Sequence, residues 1–590
     1  MLSKRYIKLI LPLRLEWEPY YYLTGDACIG QRVIVKFAGR RIVGVISETD
    51  VIPDIDPSKI QPVISGDSGL DPISPQEIEL WRFIADYYLC TVGEVYLAAY
   101  PLSKTASEES KVQSQQRKQA QEARTEDLWR KRIARLQERL DANSANLAKK
   151  HKDTVRARLE NQRLGIVQNL QEAESRLAAL SHSLEIENED YSALLSGVPD
   201  SKPDPILQQA LGSGKPVLLK SADRNTNYIQ TAAQTLRNGK NVCILVNEIA
   251  LAGPLRNNLR SVFGDLLLVH HSKMTSGARR RIMDAVRSGM PYILIGSRSA
   301  LFLPHRDLGL IIVENEESAL YKQSDPAPRY NARDCAVQLA RIHGCSVILG
   351  SGSPSLESIL NARSGRYTLV DCNPQGQQLH QSCRYSLIDI SSEWKKNGMN
   401  GLLSRKLQDA MSHSNKTVLI RGFEKPEDLE GLDADILTIP QAAKTDLSGY
   451  DLTAVLNADA LFNPADFRSD EHAFQYLERL RSICPQLIVQ TRQAAHQVFS
   501  LKSAEPLLEE RRKFNLPPYT RIIDIRTSKS EALGRNLSKE GFSPIVLPDY
   551  VRVSLTRDKT LLEQKRKLRK TLEAFRSSSK TDVITDVDPV

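Results

Sequence analysis

Paired cysteines are what this sequence most plainly lacks. Its 590 residues hold eight, at 28, 90, 243, 335, 345, 372, 383 and 484, never closer than ten apart and with no CxxC pair. Such dispersal argues against a structural zinc knuckle or a disulfide framework and for reduced, buried thiols. Long apolar runs are missing as well. Stretches such as Leu308 to Val313 are strand-sized, far short of the roughly twenty residues of a membrane helix. Near the start, Lys8 and Arg14 interrupt the apolar residues and no small-residue cleavage site follows, so no secretory signal is expected. The expectation is a soluble, cytoplasmic chain with no membrane partner. A strong charge excess is also absent: 80 Lys and Arg against 71 Asp and Glu leave +9 over the whole chain. That balance is either a lean toward a polyanion partner or only a solvated surface.

What is present is ordinary globular material. Hydrophobic residues at 41% and charged residues at 26% exclude global disorder, and the length implies roughly three to five domains. Residues 1–64 read as short strands, with Arg32 to Lys36 and Arg41 to Ser47 joined by an Ala38-Gly39-Arg40 hairpin connection, as in a small β-barrel-like domain. A helix is expected from Ser74-Pro75 to about Tyr100. From Ser103 to about Glu189 there is no proline. There Trp129, Ile133, Leu136, Leu140 and Leu147, then Leu159, Ile166, Leu170, Leu177 and Leu184, follow heptad-like spacing. This predicts a helical hairpin or coiled coil, of mixed charge, suited to a partner helix or to self-association.

Beyond Pro203, short apolar runs alternate with helix-length segments. Val217 to Leu219, Val242 to Val246, Leu266 to Val269, Tyr292 to Ile295, Leu310 to Val313 and Val347 to Leu349 form one series. Val418 to Ile420, Ile436 to Ile439, Ala454 to Leu456 and Leu487 to Gln490 form a second. Two tandem α/β lobes with parallel sheets are expected. A small α+β domain with Ile522 to Ile525, Val551 to Leu555 and Asp582 to Val587 follows.

Tandem α/β lobes invite a search for a phosphate-binding loop. Gly212-Ser213-Gly214-Lys215 precedes the first strand of the lobe and is followed by Pro216, so it is a decoy. Where such a loop belongs stands Lys220-Ser221-Ala222-Asp223-Arg224-Asn225-Thr226, without glycine and with Asp223 placed against phosphate charge.

Several strings carry a family resemblance. SRSALFLPHRDLGLIIVENEESALYKQ (297–323), PRYNARDCA (328–336), LGSGSPSLES (349–358) and NADALFNPADFRSDEHAFQYL (457–477) resemble the helicase core of the PriA family, the bacterial replication-restart helicases. LPLRLEWEPYYYLTGD with IGQRVIVKFAGRRIVGVI (11–46) and IADYYLCTVGEVYLAAYP (84–101) resemble that family's domain for DNA 3′ ends. ERRKFNLPPYTRIIDIR (510–526) and TDVDP (585–589) resemble its C-terminal domain. The resemblance implies a 3′ DNA-end-binding domain (1–102), a helical insert (103–200), two RecA-like lobes of superfamily 2 type (201–375, with the loop degenerate, and 376–505, shortened) and a C-terminal domain (506–590). It also implies a nucleoid-associated location, and as partners DNA forks, 3′ ends, single strands and primosome or helicase-loading proteins.

Departures from the family pattern are informative. Its acidic DEEH motif is aligned with Glu314-Asn315-Glu316-Glu317, an amide replacing the second acid. Its GRAGR arginine segment is replaced by the shorter run Arg479 to Pro485, and its zinc insert has shrunk to RGFEKPEDLEGLD (421–433). With Ser221, Asp223, Arg224 and Asn225 as a vestigial loop, and Arg224, Glu314, Asn315 and Glu316 as degenerate catalytic positions, ATP, magnesium and zinc are all expected to be absent as cofactors. Tyr20, Tyr21 and Tyr22, with Gly44 and Lys59, align with the family's pocket for a terminal nucleotide; alternatively the tyrosines are packed strand residues. Arg329 and Arg333 either contact DNA or brace the lobes. Lys565, Arg566, Lys567 and Arg569 lie on a basic helix, which either meets DNA or is a solvated face. The expected function is recognition of branched or 3′-ended DNA at stalled forks and primosome assembly, with ATPase activity lost. The alternatives are an active 3′ to 5′ helicase and an interaction protein without DNA binding.

Overall fold

The computed structural model describes residues 4–66, 68, 70–101, 131–145, 195, 197–200, 202–220, 224–247, 253–271, 274–371, 383–396, 398–443, 445 and 447–589. The chain forms two compact units, residues 103–196 and all the rest. In the first of these, residues 131–145 are helical, with Leu136 buried and Ile133 and Leu140 half-buried. The remainder of the expected coiled coil lies outside the described residues.

The larger unit begins with strands β1 (Lys4–Ile10), β2 (Tyr20–Thr24), β3 (Arg32–Phe37), β4 (Arg40–Thr49) and β5 (Gln61–Pro62), in the order β3-β4-β1-β2-β5. Ala38 and Gly39, both at positive φ (47° and 79°), make the two-residue β3–β4 turn. A bridge between Ile34 and Ser65 links β3 to the residues after β5, curling the sheet toward closure. Period-two alternation turns Ile7, Leu9, Tyr21, Leu23, Val33 and Val35 into one core. The single helix expected next is two, α1 (Pro75–Tyr88) and α2 (Val92–Ala99). Leu89 at φ 54° ends α1, and Thr91 with Glu94 makes a second capping box three residues apart, just as Ser74 with Glu77 opens the first.

Two parallel α/β sheets follow. The first contains α3 (Pro205–Leu211), β6 (Val217–Lys220), α4 (Arg224–Arg237), β7 (Asn241–Leu245), α5 (Gly253–Phe263), β8 (Leu267–His270), α6 (Ser276–Ser288), β9 (Ile293–Gly296), β10 (Leu308–Glu314), α7 (Ala332–His343), β11 (Ser346–Gly350), α8 (Leu356–Arg363) and β12 (Thr368–Asp371). Its strand order is β12-β6-β11-β10-β7-β9-β8. The second contains β13 (Arg384–Asp389), α9 (Ile390–Lys396), the hairpin β14 (Met399–Asn400) and β15 (Leu403–Ser404), α10 (Arg405–Ser412), β16 (Thr417–Arg421), β17 (Asp435–Thr438), α11 (Ile439–Ala442), β18 (Leu452–Val455), α12 (Ser469–Ile483), β19 (Gln486–Thr491) and α13 (Glu505–Lys513), with order β13-β19-β18-β16-β17. Every expected apolar run is a strand. Strands β12 and β13, at sheet edges and poorer in apolar residues, were not expected. Helix α8 precedes the second lobe in the chain, yet Leu356, Ile359 and Leu360 pack in the second lobe's core.

The C-terminal layer is an antiparallel sheet, β21-β22-β20-β23, made of β20 (Thr520–Arg526), β21 (Ile545–Val546), β22 (Val551–Thr556) and β23 (Ile584–Val587), with helices α14 (Ser530–Lys539) and α15 (Leu561–Ser579). Its apolar residues are continuous with those of α1, α2 and the first lobe, so these parts share one core. At the junction Lys322, 2% exposed in its side chain, pairs with Asp586 at 2.7 Å. It also donates to the carbonyls of Arg329 (2.6 Å) and Val587 (2.7 Å). A buried ammonium is tolerated only when so surrounded. Asp586→Ala is expected to destabilise the protein by about 3 to 5 kcal/mol. The check is the urea unfolding midpoint; an unchanged midpoint would remove this pair from the forces holding the C-terminal strand.

Candidate functional site

In the first lobe, the end of β10 and the start of α4 are joined by an ion pair. Helix α4 starts at Arg224, directly after residues 221–223, so the expectations for Ser221 and Asp223 fall outside the described residues. Arg224 Nε donates to Glu314 Oε2 at 3.2 Å, and its Nη2 donates to Glu314 Oε1 at 2.8 Å and to Asn315 Oδ1 at 3.1 Å. One turn along α4, the Tyr228 hydroxyl donates to Glu314 Oε2 at 2.5 Å. Only glycine fits at 350 beneath that ring: a Cβ there would lie 1.6 Å from the tyrosine oxygen. Burial opposes the charge on Arg224, but Glu314 outweighs it and holds the guanidinium above its ordinary pKa. The carboxylate at the end of β10 therefore already has a cation and three directed donors. A magnesium ion would have to displace Arg224 and Tyr228 to be held by this carboxylate. Asn225, in the first turn of α4, is half-buried. Among the described residues no cluster of three His, Cys, Asp or Glu side chains could hold a metal.

Two residues on, Glu316 is 1% exposed and wholly occupied. Its carboxylate accepts from Ser355 N (2.7 Å), Ser355 Oγ (2.9 Å), Ser358 Oγ (2.9 Å) and Arg333 Nη1 (3.1 Å). Arg333, expected as either a DNA contact or a brace, is therefore a brace, also held by Asp334 at 2.9 Å. Arg329 is buried and pairs with Asp325 at 2.9 Å, and the DNA assignment is corrected there too.

On the N-terminal sheet the three tyrosines divide by pleat. Tyr21 points inward, 4% exposed, its hydroxyl donating to Lys36 O at 2.9 Å; burial raises its pKa. Gly44 is likewise interior, since a Cβ would lie 2.8 Å from Leu11 Cδ2. Both are packing positions and not nucleotide contacts. Tyr20 and Tyr22 face outward. Tyr6, directly opposite Tyr22 on β1, meets it edge to face at 6.4 Å. Lys4 stands 4.6 Å over the Tyr22 ring and Lys8 5.6 Å over Tyr20. The sequence reading missed Lys4, Tyr6 and Lys8, although their period-two spacing gives one face. Lys59 is exposed on the turn before β5.

Helix α15 also divides. Lys565 is buried, donates to Tyr87 O at 2.7 Å and lies 3.8 Å over the Tyr87 ring, and burial pulls its pKa down to about 8. Arg569 pairs with Asp86 at 2.7 Å and reaches the carbonyls of Ala85 and Cys90. These two clamp α15 to α1 and are not DNA contacts; Arg566 and Lys567 are exposed.

Glu317 supplies a pH test. Burial, then the neighbouring Glu316, pushes its pKa up to about 7, and its Oε2 is shut from solvent without a hydrogen-bond partner. Its folded pKa lies above the unfolded value, so the folded state binds the extra proton. Stability should fall as pH rises from about 4.5 through 7, by on the order of 3 kcal/mol. Glu317→Gln should be the more stable form at pH 8 and match the parent near pH 4, read by denaturant unfolding at both.

With this geometry in hand, comparison with known proteins gives three results. Residues 8–101 match the model of the PriA 3′ DNA-binding domain (3′BD). The replication restart protein PriA of Haemophilus influenzae is 27% identical over 438 residues, 68% of this chain and 57% of that protein. The protein of the same name from Chlamydia pneumoniae is 38% identical over 178 residues, 30% of this chain and 24% of its own. The chain thus spans little more than half of the first relative's length and about a quarter of the second's. Among solved structures, the helicase Lhr of Mycobacterium smegmatis bound to single-stranded DNA and AMP-PNP has a TM-score of 0.33 at 13% identity, covering 51% of this chain and 47% of its own. The alignments to replication restart proteins of this one name are longer than the stretch that the domain model matches, so the chain's similarity to the PriA family is not confined to that domain.

Proposed function

We propose that this protein binds branched or 3′-ended DNA at stalled replication forks and promotes primosome assembly as a platform, without turning over ATP. The observation that carries the reading is the outward face of the N-terminal sheet, where Lys8, Tyr20 and Tyr22, within the residues that match the 3′ DNA-binding domain, stand beside Lys4 and Tyr6 just before them. Aromatic rings stack on the base of an exposed strand end, and ammonium groups meet its phosphates. Exposed Lys59 adds a further cation on the same domain. The Arg224–Glu314 pair supports loss of turnover. Nucleotide would have to break a bidentate, mostly buried ion pair before metal could reach the β10 carboxylate. The helical insert takes the role of a partner-helix or self-association element in this reading.

Two measurements test it. Anisotropy titrations should show tighter binding to a fork with a free 3′ arm than to blunt duplex, with the difference persisting across several salt concentrations. Tyr20→Ala and Tyr22→Ala should each lower affinity for the 3′ arm by about 1 to 3 kcal/mol, whereas Tyr21→Phe should not. Equal, weak binding to both DNAs would remove the fork assignment. Separately, phosphate release from ATP should not rise on adding forked DNA. DNA-stimulated release that is abolished by Arg224→Ala would refute the loss of ATPase activity.

A further inference from the structure

Along the edge of the second lobe where its parallel strands end, two exposed aromatics stand in surroundings of opposite charge. Trp394, 70% exposed on α9, is accompanied by exposed Lys395, Lys396, Arg405 and Lys406, on α9 and the first turn of α10. The acids near it are Asp389, taken by Ser391 N and Ser392 Oγ at 2.9 and 2.6 Å, half-buried Glu393, and Asp409 further along α10. Phe423, 72% exposed just after β16, opens a run in which Glu427, Asp428 and Glu430 are exposed against one cation, Lys425. Glu424 is half-buried and accepts from Gly422 N at 2.6 Å.

Neither patch is a loose loop. On the basic side, Gln490, buried at the end of β19, donates to the carbonyls of Leu402 and Leu456 (2.9 and 3.2 Å) and accepts from Ser404 N at 2.9 Å. This pins the β14–β15 hairpin, and with it the start of α10, across the strand ends. On the acidic side, Leu429 is 1% exposed and enters the same apolar cluster as Leu403 and Leu407, so the acidic run and α10 lie on one face of the sheet. Gly422 draws that run against the end of β18, since a Cβ there would lie 2.8 Å from Asn457 O and 2.6 Å from Ala460 Cβ. The strands that lead to the two aromatics, β13 and β16, are three strand spacings apart, roughly 14 Å.

Two patches of opposite sign held side by side on one rigid edge are not free to cover each other. A second copy, turned about a two-fold axis between them, sets basic on acidic and acidic on basic in a single motion. Both contacts are then made at once, and the pair is closed. Each places an aromatic within reach of the other's ring and charges, in the mixed composition usual for interface centres.

We propose that this edge of the second lobe is a self-complementary docking surface for a second copy of the chain, in which Trp394 and its cations on each protomer meet Phe423 and its acids on the other. It involves neither the helical insert nor the N-terminal sheet, and it goes beyond the function proposed above.

The test is sedimentation velocity of the full chain without nucleic acid, over roughly 1 to 100 µM protein. The parent should pass from monomer to dimer, and high salt should weaken the association. Trp394→Ala should weaken it by roughly thirtyfold. Lys395→Glu with Lys396→Glu should leave the protein monomeric over this range, and so should Glu427→Lys with Asp428→Lys, because each sets like charges face to face. Mixed in equal amounts, the two charge-reversed proteins should form a dimer of one of each, since every facing pair is again of opposite sign. All of these side chains are exposed, so each variant should keep the parent's thermal midpoint. A parent that stays monomeric would overturn the proposal and leave the two patches to separate partners of opposite charge. A dimer that survives either charge reversal would also overturn it, placing self-association elsewhere, as in the helical insert. So would charge-reversed proteins that fail to pair when mixed.

Discussion

One buried ammonium ties the first lobe to the C-terminal strand. Lys322 lies just past the β10 acidic segment, and its partners are a carbonyl of the following loop and a carbonyl and a carboxylate of the last strand, β23. A lysine in that environment has no water to fall back on, so the C-terminal strand must be in place for the first lobe to be complete. Neighbouring contacts depend on the same docking. Arg521 pairs with Asp588 at 2.6 Å, Arg468 of the second lobe donates to Pro589 O at 2.8 Å, and Thr585 donates to Leu89 O at 2.8 Å. The closing residues thus touch the N-terminal helices, both lobes and their own sheet, which explains how parts distant in sequence come to share one core.

The same economy decides where the positive charge goes. Arg224, Arg333, Arg511, Arg521 and Arg569 all face carboxylates inside or at seams, and so does Lys322. Each such pair removes one charge of either sign, so the net charge of +9 is left to the other residues without saying where on the surface it lies. Among the described residues, exposed cations that could meet a polyanion include Lys4 and Lys59 on the N-terminal domain, Lys395, Lys396, Arg405 and Lys406 on α9 and α10, and Arg566 and Lys567 on α15. Binding sites are better sought where exposed aromatics accompany such cations than where cations are most dense in sequence.

Most of the fold was legible because parallel strands covered on both faces leave uninterrupted apolar runs. Strands β12 and β13 were not, since an edge strand carries polar residues such as Arg384, Ser386 and Asp389. The division of the basic helix was in fact written in the sequence. Leu561, Lys565, Leu568, Leu572 and Phe575 follow a four-three-four-three spacing, so Lys565 occupies the apolar stripe and its burial against Tyr87 follows. Period two likewise separates Tyr21 from Tyr20 and Tyr22. What could not be read was the pairing of Arg224 with Glu314 or of Arg333 with Glu316, some ninety and seventeen residues apart in sequence, because only the strand order brings those elements side by side.

The seam between the lobes bears on the proposed loss of turnover. Helix α8 is held from one side by Glu316, through Ser355 and Ser358, and from the other by Glu471 of α12, which accepts from Leu356 N at 3.0 Å and pairs with Arg511 at 3.3 Å. Glu357 on the same helix faces Arg468 at 3.6 Å, while the apolar side of α8 is buried in the second lobe. In a working motor a carboxylate after this strand would report on nucleotide, and such a relay would carry the report across the seam. Here the first acid of the segment, Glu314, is occupied by Arg224 and the second, Glu316, by α8, so both are already committed to partners within the protein. Contacts of this kind hold the two ends of the seam in one relation, which agrees with the platform role proposed above.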